Sequence, residues 1–84
     1  MLSDKLISEI RAERQHSIDK HGKNSMEYLE GASPSWLAIL VEEVGEAAKS
    51  LTYDNQDNEN LRDELIDIIA VASAWVEAMD REKN

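Results

Sequence analysis

Apolar residues recur along the chain at intervals of three and four, and no segment alternates apolar and polar as a half-buried strand would. The pattern predicts an all-α fold with three main helices. The first runs from about Ser3, a plausible N-cap, to about Lys20, with Leu6, Ile7, Ile10 and Ile18 on its apolar stripe, and Gly22 ends it. Residues 22–33 hold two glycines and two serines without a clear period, which reads as a loop with at most one helical turn. Ser33-Pro34 then opens the second helix, which is expected to run to about Tyr53 on a core stripe of Leu37, Leu40, Val41, Val44, Ala48 and Leu51. Asp54 to Asn58 reads as a turn, with Asp57 or Asn58 capping a third helix that continues to about Glu82.

The third helix is apolar nearly all round. From Leu65 to Met79 only Asp67, Ser73 and Glu77 interrupt the run, so no broad face is left for water. Two other helices can hardly cover it, and the bundle is therefore expected to be completed by a homodimer or homotetramer. Gly45, inside the second helix at a cost of roughly 1 kcal/mol relative to alanine, forms a small-residue edge with Ala48 and Thr52 that suits close approach of another helix.

Composition narrows the setting. A chain of 84 residues is one domain, residues 1–84, and at this size a partner or an ion is expected to support the fold. With 18 acidic and 9 basic side chains the net charge is −9, which repels phosphate backbones and argues against nucleic-acid binding. The absence of cysteine excludes a thiolate metal site and fits a reducing interior, so the cytoplasm is expected. The longest apolar run, Ile68 to Val76, is far too short to span a bilayer, and no secretory leader is apparent.

Acidic residues on the second and third helices carry the candidate chemistry. At about 100° per residue, Glu43 and Glu46 share a side of the second helix, Glu42 stands one turn before Glu46, and that side also carries Trp36 and Ile39. Glu64 and Asp67 repeat the spacing where the third helix turns apolar. For any one glutamate in so acidic a chain, a solvated surface role is the commoner case. Asp67 resists that reading, because Leu65, Ile66, Ile68, Ile69 and Ala70 flank it, and a carboxylate among them needs a cation or a full set of hydrogen bonds. Two carboxylates about 4 Å apart repel by roughly 4 kcal/mol at an effective dielectric near 20. All-oxygen ligands suit Mg²⁺, or Mn²⁺, better than zinc or copper. A di-iron bundle would want Glu-x-x-His pairs; neither His16 nor His21 is read as the histidine of such a pair, and that site is set aside.

The order Glu-Glu-x-x-Glu, 17 intervening residues, then Glu-x-x-Asp, preceded by Trp36-Leu37-Ala38-Ile39-Leu40, resembles the MazG-like all-α nucleotide pyrophosphohydrolases. On the first helix, Glu13-Arg14-Gln15 and Lys20-His21-Gly22 look like the Glu-Arg-x-x-Gln and Lys-Trp-Gly pattern of small phage-type relatives, with His21 in place of the tryptophan. The resemblance covers roughly residues 10–80. It implies Mg²⁺-dependent hydrolysis of a nucleoside triphosphate between the α and β phosphates, with Glu43, Glu46, Glu64 and Asp67 as metal ligands and Glu42 or Glu46 taking the proton of water.

On the substrate side, Arg14 lies on the apolar stripe of the first helix and is expected to point inward, either as partner to an internal carboxylate or as a clamp for phosphate. Lys20 and Lys23 flank a glycine turn, within reach of terminal phosphates or simply solvated. Trp36 is either a stacking platform for a nucleobase or core filling, and Trp75 fits the core or a dimer contact. The competing class is a non-catalytic helical dimer acting as a nucleotide-binding or regulatory module. A related pyrophosphate such as phosphoribosyl-ATP or an alarmone is a third option within the same chemistry.

Overall fold

The computed structural model describes residues 1–52 and 58–83, and all regular structure among them is helical. Helix α1 spans Asp4–His21, α2 Ser35–Thr52 and α3 Asn58–Glu82, with short 3₁₀ turns at Gly22–Asn24 and Met26–Tyr28. Tyr53 and the expected turn at 54–57 lie outside the described residues; Asn58 begins α3. No helix among the described residues is long and apolar enough to cross a membrane.

Local chemistry sets the helix ends. The Ser3 hydroxyl accepts from the Leu6 N–H at 3.1 Å and caps α1. Gly22 closes the helix at φ +54°, donating its N–H to the Ile18 carbonyl, in a conformation where a side chain is disfavoured. Ser33 accepts from the Ser35 N–H at 3.2 Å as α2 begins.

Helices α2 and α3 form an antiparallel hairpin, and α1 packs against α3. The core is small: Trp36, Val71, Ala74 and Ala78, with Met26, Leu29, Ile39, Leu40 and Trp75 packed around it. Trp36 is fully buried and stacks on Trp75, ring centroids 6.1 Å apart and planes 3° from parallel. The two indole N–H groups donate to the Glu30 and Gly31 carbonyls, both at 2.9 Å, so the pair ties the loop before α2 to the hairpin. Gly31 is needed there because a Cβ would lie 2.9 Å from the Met79 backbone nitrogen.

The expected core stripe of α2 does not face the core of the chain. Of its six members only Leu40 is half-buried, whereas Leu37, Val41, Val44, Ala48 and Leu51 are exposed. The helix has two adjoining apolar faces, and the one that meets α3 carries Trp36, Ile39, Leu40, Ala47 and Ser50. Periodicity identifies both faces as apolar but does not say which one the chain itself covers. Within the single chain α3 likewise keeps Leu65, Ile69, Val76 and Met79 exposed.

Candidate metal centre

Antiparallel pairing of α2 and α3 brings the two carboxylate pairs to the same level of the hairpin. One carboxylate oxygen from each of Glu43, Glu64 and Asp67 lies within 4.8 Å of the others, and all three residues are half-buried. Opposite ligands around one Mg²⁺ at 2.0–2.1 Å stand about 4.2 Å apart, so the trio is on the scale of a single hard cation.

The electrostatics are those of a crowded acidic site. Burial, the charge of Glu13 and Glu43, a hydrogen bond to Glu13 and the charge of Glu64 together push Asp67 up to about 7. Glu43 is raised by burial first, then by Glu64, Glu42, Glu46 and Glu13. Burial also raises Glu64, with Glu46, Asp63 and Glu13 adding to it. The neighbouring charges that raise these three are carboxylates, so the members of the site repel one another.

The remaining expected site residues are distributed around this trio. Glu46 is exposed and outside it, close enough for its charge to act on Glu43 and Glu64. Glu42 lines a cleft of about 540 Å³ between α1, α2 and α3. Glu43 and Asp67 form part of the same lining, Lys20, His16, His21 and Asn24 bring donors from the end of α1 and its following turn, and Met26, Ile39, Ala70 and Val71 supply an apolar floor. Lys23 is exposed and does not line the cleft.

Arg14 and Trp36 have structural partners. The Arg14 guanidinium donates to both oxygens of Glu27, at 2.7 and 3.0 Å, and also pairs with Glu77. Of its two expected roles, the structure displays the one as partner to an internal carboxylate. Trp36, sealed against Trp75, has no open face for a base.

Comparison with protein-family models, with curated proteins and with solved structures returned no match for this chain.

Two cleft residues carried no site role in the sequence: Glu13, there only part of the first-helix motif, and His16. Glu13 approaches Asp67 from α1, and His16 lines the cleft one turn further on. Contrary to the expectation that neither histidine belongs to a Glu-x-x-His pair, Glu13-Arg14-Gln15-His16 is such a turn, and that spacing was the available signal. It is a single pair on α1, against the two that a di-iron bundle uses.

Proposed function

We propose that this protein is a divalent-cation-dependent nucleoside triphosphate pyrophosphohydrolase. The observation that carries the reading is the convergence of Glu43, Glu64 and Asp67 on the wall of a cleft whose facing wall holds Lys20, His16 and His21. Acidic trios are common on acidic proteins. A half-buried one, with all three carboxyls raised and basic groups across a cleft, suits a cation together with an anionic ligand.

Glu43, Glu64 and Asp67 would hold the ion, Mg²⁺ or Mn²⁺, with exposed Glu46 joining them by side-chain rotation. When bound, such an ion supplies Lewis-acid activation of phosphate oxygens and of water and offsets the site's negative charge. Lys20, His16 and His21 orient the polyphosphate, and Met26, Ile39, Ala70 and Val71 receive the less polar end of the nucleotide. Glu42, on the cleft lining where Glu46 is not, accepts the proton of the attacking water. Oxygen of water bonds to the α phosphorus, the bond from that phosphorus to the α–β bridging oxygen breaks, and pyrophosphate leaves beside a nucleoside monophosphate. The bond cleaved rests on the resemblance to MazG-like enzymes.

Release of pyrophosphate from a panel of NTPs and dNTPs with Mg²⁺ tests the proposal. Activity is expected with at least one nucleotide and should fall about a hundredfold or more in Asp67→Asn, the scale of several kcal/mol of transition-state stabilisation. Absence of pyrophosphate from every nucleotide at high enzyme concentration would overturn the reading in favour of a non-catalytic binding module.

A further inference from the structure

Hydroxyls inside helices are often absorbed by the helix's own backbone. Ser50, Thr52 and Ser73 follow that habit, donating to the Glu46, Ala48 and Ala70 carbonyls at 3.2, 2.9 and 2.9 Å. Ser17 of α1 does not. Its one hydrogen-bond partner among the described residues is the Ser25 hydroxyl, 2.8 Å away at the start of the second 3₁₀ turn. Ser17 is also half-buried on the lining of the cleft.

Burial decides which of the two hydroxyls donates. Ser25 is 2% exposed, and its oxygen already accepts from the Glu27 N–H at 3.2 Å. Its own proton has one acceptor among the described residues, the Ser17 oxygen. A buried hydroxyl proton left unpaired costs free energy, so Ser25 donates and Ser17 accepts. A serine hydroxyl carries one donor besides its lone pairs. With a lone pair of Ser17 taken by Ser25, the Ser17 O–H is left for a group in the cleft, and its oxygen is held in place from behind.

We propose that Ser17 donates a hydrogen bond to a phosphate oxygen of the ligand, with the buried Ser25 hydroxyl fixing its direction. The surroundings select phosphate among possible acceptors. Lys20 and His21 stand three and four residues further on, the neighbours of Ser17 on the same face of α1, and both line the cleft. Lys20 brings a full positive charge, and a hydrogen bond to a charged oxygen is stronger than one to a neutral acceptor. Backbone groups offer an anion little here, because the C-terminal end of a helix carries partial negative charge and the Gly22 N–H is spent on the Ile18 carbonyl. Side-chain donors must therefore hold it. Ser17 lies four residues beyond Glu13, the α1 neighbour of Asp67, which is about 6 Å along the axis at 1.5 Å per residue. A phosphate on Ser17 thus sits one turn from the carboxylate centre, beside a cation there without displacing its ligands. The inference rests on the reading of the cleft as a phosphate site and adds an uncharged donor to it.

Calorimetric titration of the chain with inorganic pyrophosphate in the presence of Mg²⁺ tests it. Ser17→Ala should weaken pyrophosphate about tenfold, the scale of one hydrogen bond to a charged group. Ser17→Thr keeps the hydroxyl and should stay close to the wild type, and Ser25→Ala should fall between the two. Mg²⁺ alone should bind to all four chains alike, a readout that disturbed helix packing would move. Equal pyrophosphate affinity in Ser17→Ala and the wild type would overturn the proposal, and so would a parallel loss of Mg²⁺ affinity, which would make Ser17 a packing residue. A wild-type chain that takes up no pyrophosphate would overturn it as well, and unchanged affinity in Ser25→Ala would overturn the role given to Ser25. Failure of the hydrolysis reading is distinguishable: no nucleotide would then release pyrophosphate, while added pyrophosphate would still bind in a manner that depends on Ser17.

Discussion

Asp67 shows at the scale of one residue what a cation would do for this protein. Its carboxyl is raised from 3.8 to about 7, by burial first and then by neighbouring carboxylates. Between these values the folded chain holds a proton that the unfolded chain has released, so the stability of metal-free protein falls as pH rises through the window and the loss is complete above about 7. Glu43 and Glu64 are shifted in the same direction and add to the slope. Chelator-treated protein is therefore expected to melt at a lower temperature at pH 8 than at pH 5, with a shallower dependence in Asp67→Asn. Thermal denaturation followed by circular dichroism across that range checks this, and a melting temperature that climbs with pH would contradict it. Asp67 was conspicuous in the sequence because its apolar flanks are local information. Glu13 was not, because it reaches Asp67 only through packing between α1 and α3, more than fifty residues apart in the chain.

Among elements, what was legible in the sequence divides along the same line. Three helices, the Ser3 cap and the Gly22 terminus follow from interactions within one turn, and each matches the expected element closely. Which apolar face of α2 the chain covers is a matter of tertiary packing, and there the more regular stripe proved to be the exposed one. The loop between α1 and α2 is similar: its 3₁₀ turns have little periodicity to reveal them, and its anchorage depends on remote groups. The two tryptophans hold its carbonyls, and the Gly31 N–H donates to Glu82 at 2.5 Å. Gly31→Ala should disturb this anchorage, because the added methyl meets the Met79 backbone and neither rigid segment yields freely. A loss of about 1–3 kcal/mol, the usual cost of overpacking, is expected in urea unfolding. An unchanged midpoint would mean that the loop can lift from α3 without penalty.

For the whole molecule, the charge of −9 acts on two expected events with opposite sign. Association of two copies, expected from the exposed apolar faces of α2 and α3, would bring together chains of like charge, so that long-range repulsion opposes it and apolar burial drives it. Salt screens the repulsion, with a Debye length of about 30 Å at 0.01 M falling to about 8 Å at 0.15 M, and leaves the burial nearly intact. Cation binding is the reverse case, since the field of the acidic chain attracts Mg²⁺ and salt weakens that attraction. Raising NaCl from 0.01 to 0.3 M is therefore expected to tighten the dimer several-fold and to weaken Mg²⁺ binding several-fold. Sedimentation reads the first, and titration calorimetry with Mg²⁺ reads the second. If both properties weakened together, association would depend on charge pairs rather than on the apolar faces of α2 and α3. If both strengthened, Mg²⁺ would not be responding to the acidic field around Glu43, Glu64 and Asp67, and the centre proposed for it would be the wrong one.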